Sequence, residues 1–286
     1  MKNYLLSLAV ALIAVCTAAI AQTPATPEVS LDKVLLDIDS PWGMTFVNED
    51  ELLFTEKAGK IWKYKISTND KQEITGLPAI AQNGQGGLLD IALHPDFEQN
   101  KLVYITYAVS GTGGQTTAIG RGTLTNNQLQ NFSELFRALP LVNSGFHFGS
   151  RIAFDKDKFL FISVGDRGTG DNAQNTNNHL GKIIRLKDDG SVPADNPFVG
   201  VANTKPEIYS YGHRNIQGIA VHPVTGQLYA HEHGPQGGDE LNLIKKGANY
   251  GWPTITFGVP YGSPAGTVST DTAAAGMEQP LTYWFP

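Results

Sequence analysis

The sequence predicts an all-β protein built as a β-propeller, and three observations carry this prediction. Four segments share one pattern: an apolar strand, a short polar or Asp/Pro turn, and a second apolar strand. They are WGMTFVNEDELLFTE (42–56), LDIALHPDFEQNKLVYITY (89–107), SRIAFDKDKFLFISVGD (150–166) and QGIAVHPVTGQLYAHEHG (217–234). The 31 glycines and 16 prolines supply turns along the whole chain. The periodicity of long helices is absent.

The spacing of these segments is that of propeller blades separated by loops. The aligned positions Met44, Ile91, Ile152 and Ile219 lie 47, 61 and 67 residues apart, and repeats of this kind occupy about 40–50 residues before loops are added. Side chains in the third and fourth segments alternate with the period of two that is typical of half-buried strands. A β-sandwich with long loops is the competing architecture, and the repeat spacing disfavours it.

The N-terminal residues predict export. Residues 1–21, MKNYLLSLAVALIAVCTAAIA, combine Lys2 with an apolar run and a small-residue end, as in a cleaved secretory signal. We therefore expect a signal peptide over 1–21 and one propeller domain over 22–286. Cys16 is the only cysteine, so the mature chain has no disulfide and no thiolate ligand. A lipid anchor on Cys16 is the weaker alternative, because Val15 is bulkier than such processing prefers.

The charge restricts the partners. Without Lys2, 20 Lys and Arg residues stand against 27 Asp and Glu residues, a formal charge of −7. This balance disfavours nucleic acid and is compatible with a small neutral substrate. No second apolar run approaches the roughly 20 residues of a spanning helix. We therefore expect a periplasmic or secreted protein with no membrane span after signal cleavage.

Polar residues beside the strands supply candidate functional groups. Gln85 lies between glycines in NGQGGLLD, where the backbone can approach a ligand closely. His147 precedes the third segment, and Asp166 follows its second strand 19 residues later. If the two side chains meet, the carboxylate orients the imidazole as a base. Arg214 and Asn215 precede the fourth segment and offer a cation and an amide to a ligand oxygen.

The stretch HEHGPQGGDELNLIKKGANYGWP (231–253) leaves several interpretations open. His231 and His233 lie two apart and share one face of a strand, which would suit zinc, but no third ligand follows at a recognisable spacing. An acidic calcium loop or a turn at the mouth of an active site are the alternatives. The Asp-rich run 165–178 lacks the calcium-loop pattern and is more typical of a polar loop at the rim of a pocket.

Five stretches together resemble the soluble pyrroloquinoline quinone (PQQ)-dependent sugar dehydrogenases, which include the periplasmic aldose sugar dehydrogenases and the glucose/sorbosone dehydrogenase group. They are GQGGLLDIALHPDF, HFGSRIAFD, SVGDRG, SYGHRNIQGIAVHP and EHGPQGGDELNLIKKGANYGWP. The resemblance spans Trp42 to Trp284 and implies a six-bladed propeller. It implies PQQ- and calcium-dependent oxidation of aldose sugars to lactones, with an unidentified electron acceptor as a further partner.

The resemblance also implies residue roles. His147 becomes the catalytic base and Asp166 its orienting partner, and Arg214 stabilises negative charge during catalysis. The quinone contacts fall on Gln85, Arg214, Asn215 and Tyr261. The backbone carbonyls of Gly234 and Pro235 bind the Ca²⁺ that also binds the quinone, and Glu240 and Tyr250 serve a second, structural calcium site. Oxygen ligands of this kind suit calcium.

Two departures from the family pattern stand out. Phe146 precedes the predicted base where relatives often carry a polar residue. The chain ends at YWFP, whereas the family continues into a closing blade whose Lys and Arg contact the cofactor's carboxylates. We therefore expect the last blade to be missing or incomplete. The alternatives to the dehydrogenase are a calcium-dependent lactonase on a similar propeller and a non-catalytic secreted binding propeller.

Overall fold

Four antiparallel sheets follow one another along the chain in the computed structural model. The structure describes residue 30, residues 33–259, residue 261 and residues 271–284. All four sheets belong to the compact unit Leu35–Pro286. Of the unit Met1–Val34, only residues 30, 33 and 34 are described. The predicted signal peptide over 1–21 therefore lies outside the described residues.

Each sheet has four strands that are joined in chain order. Blade 1 contains β1 (Pro41–Phe46), β2 (Glu51–Glu56), β3 (Lys60–Lys65) and β4 (Asp70–Ile74). Blade 2 contains β5 (Leu88–Leu93), β6 (Leu102–Gly111), β7 (Gly114–Thr125) and β8 (Gln128–Arg137). Blade 3 contains β9 (Ile152–Phe154), β10 (Leu160–Val164), β11 (Lys182–Leu186) and β12 (Ile208–Tyr211). Blade 4 contains β13 (Ile216–Val221), β14 (Leu228–Glu232), β15 (Asp239–Ile244) and β16 (Thr282–Trp284).

The all-β propeller is confirmed, because the four predicted segments are the first two strands of the four blades. Four separate sheets replace the two packed sheets that a sandwich would show. The number of six blades stays a prediction. The helices α1 (Phe97–Asn100) and α2 (Asp171–Gln174) are single turns. Within the described ranges, no helix has the length and apolar character needed to cross a membrane.

Tight turns connect neighbouring strands. Between β7 and β8 the turn has two residues, Asn126 and Asn127, with φ angles of 49° and 57°. Positive φ at both central residues is the requirement of the type I′ turn, and asparagine tolerates it better than most residues. This turn twists in the same sense as the strands, so the long β7–β8 hairpin remains paired.

Successive blades bury their faces against each other. In β10, Leu160 and Ile162 pack into the cluster shared with blade 2, whereas Phe161 between them packs into the cluster shared with blade 4. Successive side chains of a strand point to opposite faces. A central strand between two blades is therefore buried on both faces, which explains why all five residues of β10 and of β11 are buried.

Antiparallel pairing brings four loops of blades 3 and 4 to one end of the sheets. β9 pairs with β10, and β13 pairs with β14. The residues before β9 and β13 therefore lie at the same end as the residues after β10 and β14. This end carries the predicted base, its carboxylate partner, the Arg-Asn pair and the Gly-Pro turn.

Candidate active site

A cavity of about 710 Å³ opens where these loops converge. Its walls contain seven of the residues predicted from the sequence: Gln85, His147, Arg214, Asn215, Gly234, Pro235 and Tyr261. Residues 260 and 262–270, on either side of Tyr261, lie outside the described part of the chain. Segments far apart in the sequence thus contribute to one concave surface of the size that small-molecule sites have, about 300–1,000 Å³.

The predicted His147 and Asp166 pair forms. His147 Nδ1 lies 2.6 Å from Asp166 Oδ1, and the two side chains are 12% and 1% exposed. A carboxylate accepts, so Nδ1 carries the proton and Nε2 keeps the free lone pair of a base. The backbone of His147 has a φ of 53°, and its N–H donates to Gln85 Oε1 at 2.7 Å. Gln85 thereby helps to hold the histidine in this uncommon conformation.

Two further donors fix the Asp166 carboxylate. The Gly168 N–H donates to Oδ1 at 2.7 Å, and the Trp252 indole N–H donates to Oδ2 at 2.7 Å. Both oxygens are therefore engaged, and rotation of the carboxylate would break at least one bond. Asp166 presents a fixed acceptor to the imidazole of His147.

The loop that carries His147 is tied down by a buried guanidinium. Arg167 donates from Nη2 to the Ser144 carbonyl at 2.6 Å and from Nη1 to the Phe146 carbonyl. Its guanidinium stacks 3.4 Å from the centre of the Phe148 ring. Burial lowers the pKa of Arg167 to about 10, so the side chain remains cationic at neutral pH. It therefore fixes the backbone just before the predicted base and packs against the side chain of the residue that follows it.

Arg214 and Asn215 are held at the cavity wall by different contacts. The Arg214 N–H donates to Glu232 Oε2 at 2.7 Å, and Nη1 donates to the His233 carbonyl at 3.2 Å. Burial lowers the pKa of Arg214 from its ordinary value, yet arginine stays charged in proteins. Asn215 Oδ1 accepts from the Gly149 N–H at 3.1 Å. The Asn215 Nδ2 group makes no hydrogen bond within the described residues and remains available to a ligand.

The Gly234–Pro235 turn is fixed by Asp239. The Gly234 N–H donates to Asp239 Oδ1 at 2.9 Å, and Asp239 Oδ2 lies 3.0 Å from His233 Nδ1. A Cβ on Gly234 would lie 2.2 Å from the Gly237 carbonyl oxygen, so only glycine fits the turn. The carbonyl oxygens of Gly234 and Pro235 accept no hydrogen bond in the described portion of the chain. They are two hard oxygen donors at the cavity wall.

The predicted Glu240 and Tyr250 lie in a separate, smaller cavity of about 10 Å³, which is the room of about one water molecule or ion. Glu232 also lines it, and burial together with this second carboxylate raises the pKa of Glu240. The Tyr250 hydroxyl already donates to the Leu243 carbonyl at 2.6 Å. The same hydroxyl accepts from the Lys245 N–H at 2.8 Å, so the backbone carbonyl is the oxygen of Tyr250 that is better able to bind an ion, beside two carboxylates that repel each other.

Comparison with known proteins identifies the family. A sequence model of the family described as Glucose / Sorbosone dehydrogenase matches residues 38–286. The chain belongs to this family. It is 38% identical over 273 residues to the aldose sugar dehydrogenase YliI of Escherichia coli strain K12, in an alignment covering 94% of this chain and 73% of that protein. The family resemblance predicted from the sequence is confirmed, and the protein is an oxidoreductase.

Solved structures of similar proteins agree with the family. A crystal structure of glucose dehydrogenase shares 40% sequence identity and a TM-score of 0.86, over 88% of this chain and 74% of that one. The PQQ-bound form of the aldose sugar dehydrogenase from Streptomyces coelicolor shares 31% identity and a TM-score of 0.73, over 89% of this chain and 70% of that one. The family fold therefore extends over most of the chain.

Among the described residues of this family member, the side chains near the Gly-Pro turn do not form a set of zinc ligands. His231 is exposed, and its ring lies against Gly218, whereas His233 pairs with Asp239. Within the described ranges, no group of three or more His, Cys, Asp or Glu side chains is placed to hold a metal ion. Backbone carbonyls are the remaining candidate ligands at the Gly-Pro turn.

Sequence reasoning missed several supporting residues of this dehydrogenase. Trp252 and Arg167 stand in the quoted motifs GANYGWP and SVGDRG, but the motifs do not say which atoms they contact. Asp239 and Glu232 likewise stand in the stretch 231–253, and the sequence does not show what they contact. The predicted rim loop 165–178 does reach the cavity, through Gly168. Phe146 also lines the cavity and is 60% exposed.

Proposed function

We propose that this family member oxidises aldose sugars to lactones, with PQQ and Ca²⁺ bound in the cavity of about 710 Å³. The observation that carries the proposal is the His147–Asp166 pair on the wall of this cavity, with a separation of 2.6 Å. The PQQ-bound relative supports the choice of cofactor. Substrate oxidation requires a base for the sugar hydroxyl, and the bond from Nδ1 to Asp166 leaves Nε2 of His147 free to act as this base.

The proton step follows from the tautomer. His147 Nε2 removes the proton of the anomeric hydroxyl, and Asp166 stabilises the imidazolium that results. General-base help of this type contributes about 10²–10⁴-fold in rate. The quinone, when bound, supplies the acceptor for the anomeric hydride, and that chemistry belongs to the cofactor.

The polar groups of the cavity fit an anionic quinone. Arg214 supplies a positive charge, and Asn215 Nδ2 supplies an amide donor. Gln85 uses its oxygen on the His147 N–H, which leaves its own amide nitrogen as a second donor. Tyr261 lines the same cavity and completes the proposed set. Arg214 would offset negative charge that develops on a bound quinone oxygen.

The oxygen donors fit calcium. The carbonyls of Gly234 and Pro235 lack hydrogen-bond donors in the described part of the chain, and hard oxygen ligands suit Ca²⁺. At the second proposed site, Glu240 and Tyr250 line a cavity that Glu232 also lines. Asn242 Nδ2 lies 3.1 Å from Glu240 Oε2, and the buried Oδ1 atom of Asn242 has no hydrogen-bond partner in the part of the chain that the structure describes. A cation there would relieve the repulsion between the carboxylates.

The remaining expectations belong to the same proposal. Export to the periplasm or the medium is proposed from the signal-like residues 1–21. The propeller domain is proposed to extend over residues 22–286. The physiological electron acceptor is unidentified. The number of six blades rests on the family resemblance.

The test is reconstitution of purified protein with PQQ and Ca²⁺, followed by aldose-dependent reduction of an artificial dye. We expect turnover only when both are present. His147→Ala should lower the turnover rate by about 10²–10⁴-fold, and Asp166→Asn should have a smaller effect because the imidazole remains. His222→Ala is the matched control, because His222 is exposed and lies in the β13–β14 turn.

Dye reduction by His147→Ala at the wild-type rate, in protein shown to bind PQQ, would remove His147 from the mechanism. Lactone hydrolysis by the cofactor-free protein, without dye reduction in the loaded one, would replace the dehydrogenase with the lactonase.

A further inference from the structure

A second cavity, of about 370 Å³, lies between blades 3 and 4. Its lining residues come from the strand ends opposite the active-site cavity: Phe161 lies near the start of β10, Leu228 begins β14, and Ile244 ends β15. Asp166 and Gly234, in contrast, follow the other ends of β10 and β14. The two cavities are therefore at opposite ends of the same strands.

The second cavity has an apolar wall. Phe161, Leu228 and Ile244 are 4–5% exposed, so each shows only a small part of its side chain to the cavity. The volume falls within the range of about 300–1,000 Å³ that small-molecule sites occupy. Such a wall is suited to the apolar body of a small ligand.

Arg185 lines the cavity, and only part of its guanidinium is hydrogen-bonded within the described residues. Its Nη1 donates to both Asp195 oxygens at 2.9 and 3.0 Å, and the guanidinium stacks 3.8 Å from the centre of the Phe159 ring. Its side chain is 9% exposed, yet Nε and Nη2 make no hydrogen bond within the described residues. These two groups form one edge of the guanidinium fork, the edge that matches both oxygens of a carboxylate.

A second donor of the lining is also free. Tyr209 lines the cavity, and its hydroxyl makes no hydrogen bond within the described ranges. Burial raises the pKa of Tyr209, so the phenol keeps its proton at neutral pH.

Three of the four carboxylate oxygens of the lining accept hydrogen bonds. Asp155 Oδ1 accepts from the backbone N–H groups of Asp157 and Phe159, both at 2.9 Å. Asp195 accepts from Arg185, and its Oδ2 also accepts from Lys246 at 3.2 Å. Asp155 Oδ2 accepts no hydrogen bond within the described residues, so a ligand meets the free donors of Arg185 and Tyr209 beside an apolar wall, together with this one carboxylate oxygen.

We propose that this cavity binds a small organic carboxylate with an apolar body. The two carboxylate oxygens accept from Nε and Nη2 of Arg185, the Tyr209 hydroxyl adds a third donor, and the body packs against Phe161, Leu228 and Ile244. Binding here uses none of the residues of the proposed sugar oxidation, so it occurs with or without PQQ.

The test is isothermal titration calorimetry of the full chain with benzoate, with benzamide as the uncharged isostere and inorganic phosphate as an anion lacking an apolar body. We expect saturable 1:1 binding of benzoate that is at least about tenfold tighter than that of either other probe, since hydrogen bonds to charged groups are the stronger ones. Arg185→Lys keeps the charge but loses the fork, and should weaken benzoate about ten- to a hundredfold. Arg121→Lys, a partly buried arginine bonded within blade 2 and to the Asp188 carbonyl, is the control and should not change benzoate affinity.

Tyr209→Phe keeps the test decisive if Arg185→Lys unfolds. Because the Tyr209 hydroxyl has no partner in the described chain, this variant should melt like the wild type and oxidise sugar at the same rate. Its benzoate affinity should fall about threefold to tenfold. Absence of saturable benzoate binding, equal affinity for benzoate and benzamide, or wild-type affinity in Tyr209→Phe would each overturn the proposal.

Discussion

Trp252 has the geometry of a positioning residue for the proposed base. Its indole N–H reaches Asp166 from 86 positions away in the sequence and engages the oxygen that His147 does not use. Because one carboxylate oxygen bonds His147 and the other bonds Trp252, the orientation of the carboxylate plane is fixed. This orientation in turn positions the imidazole of His147. Through this bond, Trp252 therefore orients the base indirectly, by way of the Asp166 carboxylate.

Trp252→Phe tests this role because phenylalanine keeps an aromatic side chain but removes the indole N–H donor. The Arg214 guanidinium lies 5.4 Å from the centre of the Trp252 ring. We expect turnover to fall about threefold to tenfold and the free energy of unfolding to fall by about 1 kcal/mol, with little change in the KM for the sugar. Steady-state kinetics and thermal melting measure both. Trp62→Phe is the matched control, since the buried Trp62 Nε1 has no hydrogen-bond partner among the described residues. Equal turnover in the two variants would deny Trp252 a role in catalysis.

At the scale of the element, the end of β10 determines where His147 lies. Gly165 follows β10 directly, and a Cβ there would lie 2.1 Å from the His147 carbonyl oxygen. Real Cβ contacts are much longer, so any side chain at 165 must push the histidine loop away from the strand. The pairing of the base with Asp166, the next residue, depends on this close approach.

Gly165→Ala should therefore reduce turnover much more than it reduces stability. A displacement of about 1 Å can cost about 10²-fold in rate, whereas overpacking costs about 1–3 kcal/mol of stability. Gly200→Ala is the control: its Cβ meets nothing within 4 Å, although its φ of 77° adds backbone strain. Turnover and urea denaturation should be measured on both variants. Loss of activity in proportion to unfolding alone would contradict the positional argument.

The buried side chain of Lys182 links the helix α2 to Leu180, which lies two positions before β11. Lys182, at the start of β11, is fully buried. Its Nζ donates to the carbonyls of Leu180, Asn172 and Ala173 at 2.6, 2.9 and 3.0 Å, and the last two belong to α2. Burial lowers the pKa of Lys182 to about 7, against roughly 10.4 in an unfolded chain.

This difference predicts a pH-dependent stability. Between about pH 7 and pH 10 the unfolded chain binds a proton that the folded chain has released, so stability rises with pH across this window. Relative to Lys182→Met, the free energy of unfolding of the wild type should rise by a few kcal/mol, of the order that the shift implies. Urea denaturation at pH 7, 8.5 and 10 measures the difference. If the difference in free energy of unfolding between the wild type and Lys182→Met does not change with pH, the three carbonyl acceptors keep the Lys182 ammonium charged throughout this window.

The sequence predicts some elements better than others for a physical reason. The inner strands are predictable because burial between blades demands apolar residues, as in LFISV of β10. The outer strand β4, DKQEI, is mostly exposed, and its polar sequence carries no such signal. His147 and Asp166 are predictable because they adjoin strands of one segment. The bond from Trp252 is not, because it depends on how blade 4 places a loop that is distant in sequence.

For the whole molecule, one side chain near the axis links all four described blades. Arg151 precedes β9 of blade 3, and its Nε donates to the Gln217 carbonyl of blade 4 at 2.7 Å. Its Nη1 lies 3.4 Å from the Trp42 carbonyl of blade 1 and 3.5 Å from Asp90 Oδ1 of blade 2. The guanidinium also stacks on the Trp42 ring, 3.9 Å from its centre. The guanidinium of Arg151 therefore contacts each of the other three described blades.

Arg151→Met should destabilise the propeller in a pH-dependent way because it leaves Asp90 without a cation. Burial raises the pKa of Asp90 while Arg151 opposes this rise, so the variant raises it further. A carboxyl with a raised folded pKa costs stability progressively as pH rises above its unfolded value of about 3.9. We expect a cost of about 2 kcal/mol at pH 7, below that of a fully buried pair because Arg151 is 26% exposed, and a smaller cost at about pH 4.5. Adding Asp90→Asn removes the charge, so the double variant should recover part of the loss at pH 7 but little at the lower pH. Urea denaturation of the single and double variants at both pH values distinguishes a charge effect from a packing effect. If the loss of stability is the same at both pH values and is unchanged by Asp90→Asn, Arg151 joins the blades through its stacking and carbonyl bonds alone.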